Sequence, residues 1–405
     1  MKGGCGSVSV GGLPGWIRHL DSARWLAEEP LQVVFEKKHL SSWNKRAYPH
    51  VISQKGKITS LLDTARILGI GTANPSLRLS QEQSFHAAGY KSERIHAMFL
   101  NSDIDYRHFY FDGDLNRDES SDELNQRYLR GALKTGISAI ANCLASAGRD
   151  VRDVDFLAVC TCTGYVCPDL STWFIANMGF RDDVQRASII GLGCAAAVPT
   201  LQRTVDFVRA NPSRTALLVA VEICSACYYT DKSIETVVGN AICADGAAAF
   251  LLASTNSGKD CYPEIIDFQT FLASDQIEQV GLRHQQGKLR IVLGASIHRM
   301  AGPMIEKALQ RLLQRHGLSR SGIRFWVVHP GGRKVINSVQ EHLNLTDEQM
   351  LFSRAVLRNY GNMSSATVMF VLDKVVRDGD PHPGDWGVMV ALGPGMAAEV
   401  ALLRW

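Results

Sequence analysis

The sequence contains no apolar run approaching the ~18–20 residues that a membrane-spanning helix requires, and its start lacks the charged-then-apolar pattern of a secretory signal. Charge of one dominant sign is missing as well: 43 Lys and Arg face 40 Asp and Glu, a formal net charge of +3. No arginine-rich helix and no interleaving of aromatic with basic residues appears, so nothing argues for nucleic acid as a partner. Metal-ligand spacing is also wanting. Cys224-Ser-Ala-Cys227 has the spacing of half a zinc site, yet no second pair follows and no histidine stands at a matching interval. No metal and no cofactor is expected. Ten cysteines in 405 residues, several inside apolar runs (Cys160, Cys162, Cys224, Cys243), read as buried reduced thiols and point to a cytoplasmic protein.

Two regimes follow one another along the chain. Residues 1–64 are glycine-rich at first (Gly3, Gly4, Gly6, Gly11, Gly12), turn basic from Lys37 to Lys57 and show no sustained periodicity, which suggests a poorly packed, partly disordered extension. From Ala65 onward apolar strands alternate with amphipathic helices, an α/β pattern that argues for parallel strands sandwiched by helices. Ala65 to Gly71 reads as a strand and Ala73-Asn-Pro as its turn. Helical spacing of Leu129, Leu133, Ile137, Ile140 and Leu144 predicts a helix over 127–147. Strands are expected from Phe156, from Ser188, from Leu217, from Phe325 and from Val388, with a helix over 333–343. The rhythm repeats, so the chain divides into similar halves, 65–240 and 241–405, that share one core.

Three segments each place one reactive side chain at the end of a strand, beside glycines. In Gly191-Leu-Gly-Cys194-Ala-Ala-Ala the thiol stands where a helix opens, so the helix dipole and free amides should favour a thiolate. The sharp turn should expose the sulfur as a nucleophile elbow exposes a serine. Most apolar cysteines are structural, but the preceding glycines and the helix-opening position favour a nucleophile here. Val328-His329-Pro330-Gly331-Gly332 supplies an imidazole whose following glycines permit close approach of another group. Tyr360-Gly-Asn362-Met-Ser364-Ser365 supplies an amide; Asn beside Gly is otherwise an ordinary turn signal. Together the residue types are those that a cysteine nucleophile with two supporting groups needs.

Gly-Cys194-Ala-Ala-Ala, His329-Pro-Gly-Gly, Tyr-Gly-Asn362-Met-Ser-Ser and Gly393-Pro-Gly395 resemble the chalcone synthase-related type III polyketide synthases. The likeness runs in order over residues 65–405 and takes in Gly69-Ile-Gly-Thr-Ala-Asn-Pro, Val238-Gly-Asn-Ala and Asp245-Gly-Ala-Ala-Ala. Thr161-Cys-Thr-Gly-Tyr-Val-Cys-Pro168 is similar to the bacterial alkylresorcinol and alkylpyrone synthases.

The resemblance implies a thiolase fold, a duplicated five-layered αβαβα core, in a homodimer. Its substrates would be malonyl-CoA and an acyl-CoA or carrier-protein-bound acyl group. Cys194 would carry the acyl chain, while His329 would pair with its thiolate and, with Asn362, donate hydrogen bonds to the thioester carbonyl. The resemblance also places Thr163, Glu222, Gly239, Ser364, Gly393 and Pro394 at the substrate cavity. Cys243 stands where plant members have a gating phenylalanine, and Cys162, Cys224 and Cys227 stand where they have pocket threonines. A wider, more apolar cavity suited to a long fatty acyl starter is therefore expected. Cys167 would reach across the dimer into the partner's cavity, and Gly281 would shape the cyclisation chamber. Of the basic cluster that holds CoA phosphates in plant members, only Arg94 and His96 fall nearby.

The runner-up is an initiating ketoacyl-ACP synthase of fatty acid synthesis, which shares fold and residue types but follows its histidine with Gln-Ala-Asn rather than Pro-Gly-Gly. An inactive scaffold of the same fold would be expected to have lost one of the three reactive residues, and all three are present.

Overall fold

A computed structural model of the protein describes residues 64–111, 119–227, 231, 233–254, 259–285, 287–294 and 296–405. The extension expected over 1–64 lies outside the described residues except for Thr64. The first half runs β1 (Ala65–Ala73), β2 (Leu77–Ser80), α1 (Gln81–Ala87), α2 (Glu93–Leu100), β3 (Tyr106–Phe109), α3 (Ser121–Ala147), β4 (Phe156–Thr161) and α4 (Leu170–Met178). It continues through β5 (Gln185–Ile190), α5 (Ala197–Ala210), β6 (Thr215–Ile223), α6 (Ile234–Ile242) and β7 (Asp245–Ser254). Then come β8 (Glu264–Leu272), β9 (Val280–Gln285), β10 (Lys288–Leu293), α7 (Ile297–Arg315), β11 (Ile323–Val328) and α8 (Arg333–Leu343). Helices α9 (Asp347–Tyr360) and α10 (Ser365–Asp378) and strands β12 (Trp386–Gly393) and β13 (Ala397–Arg404) complete the fold.

Nine strands form one sheet in the order β11-β12-β13-β8-β1-β7-β6-β4-β5. The parallel arrangement expected from the alternating pattern holds only for β11/β12, β4/β5 and β4/β6. The remaining pairings in this sheet are antiparallel. The reason is connectivity: β6 to β7 and β12 to β13 return along the sheet as antiparallel neighbours, while a helix between β4 and β5 crosses back to give a parallel pair. The two halves of the sheet join through a short β1–β8 pairing, Ala65 with Ile265 and Arg66 with Glu264, extended by the Ile67 N–H donating to Pro263 O at 3.2 Å. Strand β7 belongs with the strands of the first half, between β1 and β6.

Alternation along the strands reveals the layers. In β4, β6 and β7, Leu157, Val159, Leu217, Val219, Ala247 and Ala249 pack against α3 and α4. Their neighbours Ala158, Cys160, Leu218, Ala220, Ala248 and Phe250 face the opposite way, onto α5 and α10. The same cluster receives Val327, Met389, Ala401 and Leu403 of the second half, whose other face (Trp326, Val328, Val388, Val400) packs on α7 and α8. Helices α5 and α10 thus form a central layer between two sheet halves, each capped by outer helices: the five layers of the thiolase fold. Residues Ser365 to Leu372 of α10 are all buried, as a helix covered on every side must be. At Gly71, on β1 beneath α3, a Cβ would lie 2.2 Å from the backbone nitrogen of Cys143, so only glycine allows strand and helix this close.

Candidate active site

The reactive residues converge because strands from both halves end at one side of the central layer. Strand β5 ends at Ile190, and Gly191 and Gly193 then take φ of 84° and 52°, values that glycine adopts without strain. Cys194 does not open a helix as the sequence suggests: it sits in a short 3-10 turn, Gly193–Ala195, before α5 begins at Ala197. A loop from the second half braces this turn. A Cβ on Gly193 would lie 2.4 Å from the Pro394 ring, and one on Gly393 would lie 2.6 Å from the Leu192 carbonyl oxygen. Gly393 and Pro394 therefore fix the height of the nucleophile turn.

His329 leaves the end of β11, where its backbone N–H donates to Val390 O at 2.8 Å. The side chain is 5% exposed, and neither ring nitrogen has a hydrogen-bond partner. An orphaned buried imidazole costs stability unless a ligand completes it, which marks a site built for an incoming group. Asn362 lies between α9 and α10. Its backbone N–H donates to Ile242 O at 2.8 Å and its carbonyl accepts from Ala244 N at 2.9 Å, tying it to the end of α6. Its Oδ1 accepts from Ser364 N at 2.9 Å and from Thr367 Oγ1 at 3.4 Å, while Nδ2 donates to Gly331 O at 3.2 Å. With the acceptor end occupied, the amide orientation is set, and the second Nδ2 hydrogen is turned toward Cys194 on the cavity side.

Cys194, His329 and Asn362 line one cavity of about 560 Å³. Burial dominates its electrostatics. It pushes the Cys194 thiol up to about 12, partly offset by hydrogen bonding to Ser364 and Asn362, and pulls the His329 imidazole down to about 4. Burial therefore opposes both the thiolate that a helix start would favour and a charged His329 beside it. Alkylation of Cys194 by iodoacetamide, followed by peptide mass spectrometry, should thus rise about tenfold per pH unit from pH 6 to 9. A rate that levels off below pH 7 would instead show a preformed thiolate–imidazolium pair.

Of the other residues assigned to the substrate site from the sequence, Gly393 lines this cavity, as do Gly331 and Gly332 of the histidine segment. Glu222 is fully buried, and burial raises its carboxyl above the usual range. Its oxygens accept from Ser365 Oγ (2.5 Å), Thr163 Oγ1 (2.8 Å) and the Cys162 and Thr163 backbone N–H groups (3.0 and 3.2 Å). Ser364 Oγ lies 3.1 Å from Cys162 Sγ, Cys227 Sγ donates to Thr163 O at 3.2 Å, and the Cys224 and Cys243 thiols contact one another. Cys162, Thr163, Glu222, Cys224, Cys227, Cys243 and Ser364 thus form a hydrogen-bonded nest beside Cys194, off the wall of this cavity, in which Cys162 and Cys243 stay partly exposed. Cys243, the expected gate, caps α6, and Arg107 holds its carbonyl at 2.7 Å.

Gly239 is buried against Ile291, and a Cβ on Gly281 would meet nothing within 4 Å; their neighbours Val238 and Val280 line the cavity instead. Cys167 is exposed, as a residue reaching toward a second subunit would be. Arg94 is exposed on α2 but off the cavity wall, and His96 is engaged by Glu82 at 2.5 Å. Sequence reasoning missed Glu235, His298, Arg333 and Lys334, all of which line the cavity. They stand in helices without a motif, and only the helix over 333–343 was itself foreseen.

Comparison with known proteins agrees with this geometry. Residues 265–405 match the family model described as chalcone and stilbene synthases, C-terminal domain, and residues 119–316 match the one described as FAE1/type III polyketide synthase-like protein. The chain is 32% identical to a 3,5-dihydroxyphenylacetyl-CoA synthase of Streptomyces toyocaensis over 88% of its own length and 94% of that protein's. It is 34% identical to a 1,3,6,8-tetrahydroxynaphthalene synthase of Streptomyces peucetius subsp. caesius over 70% and 76%. Among solved structures it resembles PKS-I of the brown alga Ectocarpus siliculosus, with TM-score 0.78, 28% identity, and 84% of this chain and 98% of that one covered. The 1,3,6,8-tetrahydroxynaphthalene synthase of Streptomyces coelicolor A3(2) gives TM-score 0.78 at 26% identity, covering 84% and 99%. The comparisons lend no support to a ketoacyl-ACP synthase. A thiol, an imidazole and a fixed amide around one buried cavity, within a five-layered fold shared with these enzymes, lead to one assignment: the chain belongs to the type III polyketide synthases.

Proposed function

We infer that Cys194 carries the growing chain and that His329 and Asn362 drive its extension by malonyl-CoA. Cys194 Sγ attacks the carbonyl of an acyl thioester, its proton passes to His329, and the CoA thiolate leaves with that proton. Malonyl-CoA then enters the same cavity and loses CO2; the electron pair of the broken C–C bond becomes an enolate. The enolate oxygen takes hydrogen bonds from a His329 ring N–H and from the Nδ2 hydrogen of Asn362 that faces Cys194. No strong base is needed, because two fixed donors in a dry pocket stabilise the developing charge. The enolate carbon attacks the Cys194 thioester, the C–S bond breaks, and a chain two carbons longer remains on CoA. The observation that carries this reading is the buried, unpartnered His329 facing the same cavity as Cys194 and Asn362.

For the starter, the reading is an apolar acyl group, extended several times and cyclised to an alkylresorcinol or alkylpyrone. The apolar cavity wall supports it, with Ile234, Val238, Ile242, Val280, Leu293 and Leu392. A second reading, in which malonyl-CoA supplies starter and extender alike, is favoured by the polar, hydrogen-bonded nest around Glu222 and by the hydroxylated aromatic products named for the relatives. Incubation with labelled malonyl-CoA, alone and with a C6–C22 acyl-CoA series, separates them by product mass. Acyl-containing products across the series support the first; products from malonyl-CoA alone, unchanged by added acyl-CoA, support the second. Absence of any malonyl-derived product would remove the function itself.

The homodimer reading is supported by β5, an edge strand of the large sheet with exposed Ile190 and Leu192 beyond it. Such an edge invites pairing with a second copy. Sedimentation velocity at micromolar concentration should show a dimer; a monomer would end the idea.

A further inference from the structure

The basic cluster that the resemblance to plant members would place on CoA phosphates has no counterpart on the cavity wall among the described residues. Arg94 is off the cavity wall and His96 is held by Glu82. Instead the cavity that holds Cys194 carries Arg333 and Lys334, the first two residues of α8. Lys334 is exposed and forms no ion pair among the described residues; Arg333 makes only a long contact, 3.9 Å, to Asp103. No side chain caps α8, because Gly332 stands at its N-cap with φ of 143°. The first-turn amides of an eleven-residue helix and two guanidinium and ammonium groups therefore share one wall. The acidic groups nearby are Asp103, on Arg333, and Glu235, on the cavity wall. A second observation points to a ligand in this space: His329, 5% exposed and unpartnered at both nitrogens, lies four residues before Arg333 and lines the same cavity.

We propose that the N-terminal turn of α8, with Arg333 and Lys334, binds a phosphate of the incoming CoA thioester while His329 takes its thioester end. This rests on the malonyl-CoA reading above. Phosphate suits the place on three grounds: a helix N-terminus favours an anion, guanidinium binds phosphate in bidentate fashion, and ammonium adds a point charge. One short loop, Pro330-Gly-Gly332, then sets both ends of the substrate, so anchoring the phosphate also positions the carbonyl.

The test compares malonyl-CoA, malonyl-4′-phosphopantetheine and malonyl-pantetheine, which carries no phosphate, as substrates of the full-length enzyme and of an Arg333→Ser/Lys334→Ser double variant. The ratio of kcat/KM for malonyl-CoA over that for malonyl-pantetheine should fall about tenfold or more in the variant, the loss expected for hydrogen bonds to a charged group. A parallel loss with malonyl-phosphopantetheine assigns the contact to the phosphate next to pantetheine; retention assigns it to the nucleotide phosphates. Lys334→Arg alone should keep the wild-type ratio. An unchanged ratio in the double variant, or equal loss for all three donors, overturns the proposal. Calorimetric titration with desulfo-CoA decides it without turnover: the Kd should rise by the same factor. If the wild type fails to convert malonyl-CoA yet binds desulfo-CoA through these residues, the catalytic reading falls and this one stands.

Discussion

Cys194→Ala should abolish polyketide formation while leaving the fold intact. Every carbon–carbon bond in the proposed cycle forms on the Cys194 thioester, so a methyl group in place of the thiol removes the acyl carrier altogether. Only uncoupled loss of CO2 from malonyl-CoA should survive, because the His329 and Asn362 donors remain in place. The structural cost should be small. Cys194 is half-buried on a cavity wall rather than packed in a core, and the Gly193–Pro394 contact, not the thiol's hydrogen bonding to Ser364 and Asn362, sets the turn. Product mass spectrometry, with thermal unfolding as control, is the measurement. A well-folded variant that still makes polyketide at the normal rate would remove Cys194 from its role.

Asn362→Asp should cut malonyl decarboxylation about 10²–10³-fold, the usual loss when one donor to a developing oxyanion is removed. Aspartate is the informative replacement because the two ends of the amide do different work. Oδ1 accepts from Ser364 N and Thr367 Oγ1, and an aspartate oxygen can keep both bonds. Alanine would strand those donors, at about 1–3 kcal/mol for a buried group, and would mix folding damage with chemistry. Ser364 adds to that sensitivity, since it holds a φ of 48°, which a serine adopts only when its surroundings insist. With aspartate, Nδ2 alone is lost and a negative charge faces the enolate. Release of CO2 from malonyl-CoA, followed directly, should show the loss in protein that thermal unfolding shows to be folded, at a stability lowered by the lost Nδ2–Gly331 O bond. Near-normal CO2 release by a folded variant would leave His329 as the sole oxyanion donor.

The three reactive residues were legible in the sequence because each stands beside glycine or alanine, where bulk would obstruct a substrate, though Asn362 lies between two helices and not at the strand end expected. Helix 333–343 and the strand at Phe325 were legible from periodicity and from the break at Pro330-Gly-Gly. Strand direction was not. A fully buried strand is apolar throughout whether its neighbour runs with it or against it, so Ala247 to Leu252 gives no sign that β7 runs antiparallel to β6. The thiol's ionisation was hidden for another reason: a helix start favours the thiolate, but burial, visible only in three dimensions, outweighs it. The cysteines at 162, 224, 227 and 243 were recognised as neighbours of the site, but their role depends on Glu222, whose carboxylate gathers Cys162, Thr163 and Ser365 around itself. The cavity wall was hidden in amphipathic helices, where a residue facing a void and one facing a core follow the same spacing.

The central helix layer also dictates how the polypeptide can be made. Helix α5 ends at Ala210 and its partner α10 begins at Ser365, 155 residues later. At ribosomal speeds of about 5–20 residues per second, roughly 8–30 s separate their emergence. Through that interval the apolar face of α5 awaiting α10 has no native cover, and the nascent first half must be shielded by other means. Fast-growing hosts, or hosts short of chaperones, should therefore return this enzyme largely as aggregate, whereas slowed translation at low temperature should favour soluble protein.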